Sequence, residues 1–229
     1  MSRPDFARTD TSALTDADLQ FLLDNFPLPG RSFKEIAEAV NQFPSTLESM
    51  LESDFVIREL LGSRERLLQI SPFLFFNAIL RRALPARGRS RIERKAINYV
   101  ANLLCVFIHT DRLHRFQAHE QRAFVYLWEM IEEAERADPR RRFLIYSHIG
   151  NYSLYLSGLF AGWIHHRHRF GRRSVDLKFY SDFGRAYFER ASDHQMARVY
   201  ELDDVFSHLA GAFDDYRHAL ERLSPANAP

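Results

Sequence analysis

The chain has 229 residues, 46% of them hydrophobic and 14% aromatic, and a formal net charge of +1. That length and composition suffice for a substantial core, so intrinsic disorder is excluded as the default state, and a near-zero net charge excludes a uniformly basic nucleic-acid coat. Charge is unevenly placed all the same: residues 1 to 60 carry eleven acidic and five basic groups, whereas Arg81 to Lys95 carries seven basic and one acidic.

The predicted elements are helices throughout. The segment "TDADLQFLLDNFP" opens at a capping Thr15 and stops before Pro27, and "SFKE" at Ser32 to Glu35 and "STLE" at Ser45 to Glu48 have capping-box spacing. A helix-turn-helix can be drawn over "KEIAEAVNQFPSTLESMLES", but its second helix carries Glu48, Glu52 and Asp54 without a cation and would repel phosphate, which leaves a plain helical hairpin. In "SPFLFFNAILRRAL" Ser71 sits at the N-cap and Pro72 at N1, where a missing amide proton does no harm. The break "LPARGRS" follows, and "SRIE" at Ser90 to Glu93 starts a long helix expected to reach about His109.

Within "AHEQRAFVYLWEMIEEAERA" Phe124, Leu127, Trp128 and Ile131 fall on one face, predicting an amphipathic surface helix. Asp138-Pro139 caps the next. From Phe143 to Ile164 the chain lacks Asp, Glu, Lys and Arg, but Ser147, His148, Asn151, Ser153 and Ser157 interrupt the apolar residues and arginines flank both ends. A membrane is therefore not expected as partner, since a bilayer helix needs about 20 predominantly apolar residues and an asymmetric basic flank. Gly150-Asn151 has the chemistry of a helix stop followed by a new N-cap, predicting two helical pieces. The last helices are predicted at Val175 to Ala191 and Leu202 to Leu223. The fold class is thus all-α: a multi-helix bundle formed by residues 85–229, with residues 1–84 as a smaller N-terminal helical region packed on it.

Two groups of residues invite a functional reading. Arg81, Arg82, Arg87, Arg89 and Arg91, with Arg140, Arg141 and Arg142 and with Arg167, Arg169, Arg172 and Arg173, form three basic clusters near helix ends. If one pole of the bundle gathers them, they make a surface for a nucleic acid or another polyanion. The other group is His148, Tyr152 and Tyr155 at i, i+4 and i+7, with Tyr180, an aromatic wall of the kind that lines small-ligand pockets. On Leu202 to Leu223 a stripe of Asp204, His208, Gly211, Asp215 and His218 lies opposite the apolar face and reads as solvated.

The ten histidines show no HExxH and no paired Glu-x-x-His, so no metal is predicted. Cys105 lies in an apolar run and reads as a buried, inert thiol; a lone cysteine fits a reducing compartment, and the expected location is the cytoplasm. With no catalytic motif, the expected function is that of a non-catalytic interaction or regulatory module. Its expected partner is a protein or a second copy of itself, and a small ligand or cofactor bound in the His148 pocket is the alternative. No cofactor is named by the sequence.

Overall fold

In the computed structural model the described residues are 3–26, 44–62, 68–85, 89–170 and 175–224. The capping box expected at Ser32 to Glu35 lies outside them. They form twelve α-helices and one 3-10 helix, with no strand among them, so the chain is all-α.

The first helix starts where a side chain caps it. Helix α1 (Asp16–Asn25) begins with Thr15, whose hydroxyl accepts from the Asp18 amide while Asp18 accepts from the Thr15 amide. Asp18 is fully buried because its other oxygen accepts from the Ser71 amide at 2.7 Å, which fastens α1 to the start of the helix at Pro72–Ala83. Helix α2 (Pro44–Leu51) has Ser45 inside it rather than ahead of it. Glu48 turns instead to Arg81 at 2.6 Å, because a buried guanidinium offers a carboxylate more than a backbone amide does. Helix α3 (Asp54–Leu61) completes this region.

Helix α4 (Pro72–Ala83) starts as expected, with Ser71 accepting from Leu74 and Pro72 in the first turn. It faces two ways. Leu74 and Ala78 join Leu22, Met50, Leu51, Val56 and Leu60 in a small N-terminal core. Phe73, Leu80 and the following Leu84 belong to the large core. The residues 84 and 85 that the sequence offers as a boundary therefore follow a helix shared by both cores.

The large core is built on α5 (Arg91–Phe107), opened by the Ser90–Glu93 capping box, and α7 (Pro139–Leu159), capped by Asp138. Both have long buried runs because neighbours cover them on several sides. Between them lie a 3-10 helix (Thr110–His114), an irregular stretch and the short α6 (Leu127–Arg136). This corrects the longer amphipathic helix expected there: Phe124 is buried ahead of α6 by stacking on Phe116 at 4.6 Å, and Trp128 is 57% exposed.

Helix α7 also corrects an expectation, since it runs unbroken through Gly150. A β-carbon at Gly150 would sit 2.8 Å from the Phe188 ring, so the glycine is there for close packing rather than for a stop. Asn151 accepts from the buried Tyr99 hydroxyl at 2.9 Å instead of capping a helix. The break comes at Phe160, after which α8 (Ala161–Phe170) continues.

Helix α9 (Leu177–Asp193) crosses α7, and α10 (Gln195–Val199), α11 (Asp203–Gly211) and α12 (Phe213–Glu221) close the bundle. The single helix expected from Leu202 to Leu223 is two, divided at Ala212. Phe213 is thereby seated over Gly184, where a β-carbon would collide with its ring. Gly158 likewise lets Leu220 approach, while Gly162 has nothing nearby.

A candidate ligand cleft under the N-terminal segment

Among the described residues, several arginines of the predicted basic clusters are taken up by partners within the fold. Arg81 is fully buried and is held by Glu48, by Glu52 at 3.0 Å and by Asn77 at 2.6 Å. Arg89 is also buried and donates to the carbonyls of Arg81 and Leu84, satisfying the end of α4. Arg141 pairs with Glu120 and Glu133, both at 2.6 Å, and Arg142 donates to the carbonyls of Ala134 and Ala137 at the end of α6. These four side chains are staples within the fold, so they are not free to join an anion surface. Helix ends and half-buried carboxylates offer arginine better partners than solvent does.

Arg82, Arg91 and Arg167 are exposed, and Arg167 lies over Trp163 at 4.7 Å. Arg140 lines a small cleft with Arg3, Asp5 and His119. Arg87, Arg172 and Arg173 lie outside the described residues, as does the side chain of Arg169.

The aromatic group does come together, but as packing. His148 is 4% exposed, sits edge-on to Phe107 and Phe116, stacks with Tyr152 and donates from Nε2 to the Leu113 carbonyl at 3.0 Å. Burial pushes its pKa down to about 4, so the ring is neutral. Tyr155 reaches the group through Phe107, and burial raises Tyr152 to about 12 and also raises Tyr180. A neutral histidine enclosed by rings and spent on a carbonyl offers no free donor to a ligand. The stripe on α11 and α12 is not fully solvated either. His208 is half-buried beside the buried Tyr216, whose hydroxyl lies 3.4 Å from its Nε2, and burial lowers its pKa.

The stronger site was not singled out in the sequence. Residues 3 to 9 lie across α5 as a strap. Asn102 donates to the carbonyls of Asp5 and Phe6, and Asn98 donates to that of Thr9. Phe6 inserts against Tyr99, and Arg3 donates to the Tyr200 carbonyl at 3.0 Å. Between this strap, α5 and the 3-10 helix lies a cleft of about 530 Å³, lined by Asp5, Arg8, Asn102, Cys105, Val106, His109, Asp111, Arg112 and Ala118.

Arg112 is its unusual member. The side chain is only 7% exposed, yet it makes one link, from Nη2 to Asp5 at 2.9 Å. Its Nε and Nη1 are buried without any hydrogen-bond partner. An unsatisfied buried donor costs on the order of 1–3 kcal/mol, more for a charged group, so this guanidinium is under-satisfied where it stands. Arg8 is exposed at the rim and makes no ion pair among the described residues. Burial pushes the Cys105 thiol up to about 12, so it is a neutral, soft part of the wall, inert as the sequence suggests though only half-buried. Sequence reasoning missed the site because Asp5 and Arg112 are 107 residues apart. Nothing local marks Arg112, which stands among the polar residues of "FIHTDRLHRF".

Among the described residues no group of three or more metal-ligating side chains occurs, and no helix is long and apolar enough to cross a membrane. Compared with protein-family models, curated proteins and solved structures, the chain matches none.

Proposed function

We propose that the protein is a helical binding module that takes a small organic anion, a carboxylate on an apolar body, in the cleft beneath its N-terminal strap. The observation that carries this reading is the buried Arg112 guanidinium, with two donors unpaired and one shared with Asp5. Cys105, Val106 and Ala118 supply an apolar wall, and Arg8, His109 and Asn102 supply polar groups around it. A few polar groups set in a mainly apolar concavity is the usual design of a small-molecule site. The two carboxylates on the same wall, Asp5 and Asp111, favour a monoanion over a multiply charged phosphate.

In this reading the incoming anion competes with Asp5 for Arg112, and the strap that carries Asp5 reports the exchange. That suits a regulatory role in which ligand binding alters the surface offered to a protein partner. Val125, Tyr126 and Trp128, all more than half exposed, are the part of that surface we assign to a partner. The cytoplasmic setting rests on the single cysteine.

The test is calorimetric titration with benzoate and, separately, inorganic phosphate, on the wild-type chain and two variants. Benzoate is expected to bind saturably and more tightly than phosphate. Arg112→Gln should abolish the signal, while Asp5→Asn, which removes the competing carboxylate, should tighten benzoate by about tenfold. No saturable benzoate binding, or equal binding by wild type and Arg112→Gln, refutes the reading.

A further inference from the structure

A second cleft, of about 420 Å³, lies between the first turn of α5 and the chain from Arg198 to Val205. Its walls carry Arg91, Lys95 and Arg198 together with Glu201, Asp203 and Asp204, and Ile92 and Val205 are the apolar part. Salt bridges elsewhere in the molecule use arginines freely, yet among the described residues none of these six charges forms an ion pair.

Glu201 has a backbone to match. It is the one non-glycine residue with positive φ among the described residues, at 56°. Its amide donates to the Arg198 carbonyl at 3.2 Å, and the Leu202 amide donates to the Ala197 carbonyl at 2.8 Å. That pair of bonds is the Schellman ending of α10, whose left-handed position is normally glycine because a β-carbon is strained there. Leu202 and Ala197 are fully buried, so the turn is fixed by packing and cannot relax around the glutamate. An unfavourable residue held where the fold would accept a better one points to use of its side chain.

Arg91 is also placed against helix electrostatics, since the first turn of a helix disfavours cations. Cations near a helix start and carboxylates across a short gap, each without a protein partner, are complementary to a ligand with both signs. We propose that this cleft binds a small zwitterion, an ammonium and a carboxylate on one short apolar body, as in a free aliphatic α-amino acid. The ligand carboxylate faces Arg91, Lys95 and Arg198, its ammonium faces Glu201, Asp203 and Asp204, and its side chain covers Ile92.

Calorimetric titration with L-leucine, isovalerate and isoamylamine tests it, because the last two each keep one charge and the same branched apolar end. The wild-type chain should bind L-leucine saturably and each single-charge analogue at least about tenfold more weakly. Glu201→Gly should raise Tm by about 2–4 °C and weaken L-leucine by about tenfold, while Glu201→Gln should weaken it similarly with Tm unchanged. The proposal is overturned by absence of saturable L-leucine binding, by analogues that bind as well as L-leucine, or by Glu201 variants that bind it unchanged.

Discussion

Burial decides what each polar side chain does in this molecule, and His148 shows it most directly. Its ordinary pKa of 6.5 is lowered to about 4 by burial, so the folded chain refuses a proton that the unfolded chain accepts. Above pH 6.5 both states leave it neutral and stability is unaffected. Between 6.5 and 4 the unfolded state binds more protons, and stability falls with pH by up to about 3 kcal/mol. His194 and His208, lowered by burial as well, act in the same direction. Thermal melts from pH 7 to pH 4 should therefore show falling Tm, with a shallower fall in His148→Gln; an unchanged slope in that variant would mean that His148 is not the group responsible. Arg81 is the opposite case, a buried charge held by Glu48, Glu52, Asn77 and Asn98. Arg81→Met should destabilise by about 3 kcal/mol, because Glu48 loses its cation and Asn77 and Asn98 lose a donor; Arg94 still holds Glu52. Chemical denaturation measures this, and a loss below about 1 kcal/mol would show that water replaces the guanidinium.

The elements themselves were largely legible, because capping chemistry is local. Thr15, Ser71, Ser90 and Asp138 each mark a helix start in four or five residues, and the structure begins helices at each. The failures fall where a local signal was overridden from far along the chain. Gly150 looks like a terminator, but Phe188 needs its missing β-carbon; Ala212 looks like helix interior, but seating Phe213 over Gly184 divides α11 from α12. For the arginines the override is partly distant and partly local: Glu48 and Glu120 reach Arg81 and Arg141 from far along the chain, while Arg89 and Arg142 turn back on the helix ends just before them. Glycine substitutions separate the two roles. Gly184→Ala forces a methyl into the Phe213 ring and should cost about 1–3 kcal/mol, whereas Gly162→Ala meets nothing and should stabilise by up to about 1 kcal/mol. Melting temperatures that moved the same way for both would contradict this assignment.

At the scale of the whole chain the question is whether residues 1–84 form a unit of their own, as the change in charge and the "LPARGRS" break suggest. Three connections run against independence. Helix α4 contributes to both cores, the Arg81 network ties α2 to α4 and α5, and the N-terminal strap is bound to α5 and to the Tyr200 carbonyl. Unfolding the small core would expose one face of α4 and strand Arg81 and Asn98, while unfolding the large core would release the other face and the strap. Neither half keeps its buried polar groups satisfied alone, and that couples them into one transition. The two tryptophans, Trp128 and Trp163, both lie in the large bundle, so fluorescence reports that half while far-UV circular dichroism reports every helix. Urea titrations followed by the two signals should coincide in midpoint and slope. A circular-dichroism change that precedes the fluorescence change would instead reveal an N-terminal region melting by itself, with α4 held by the large core alone.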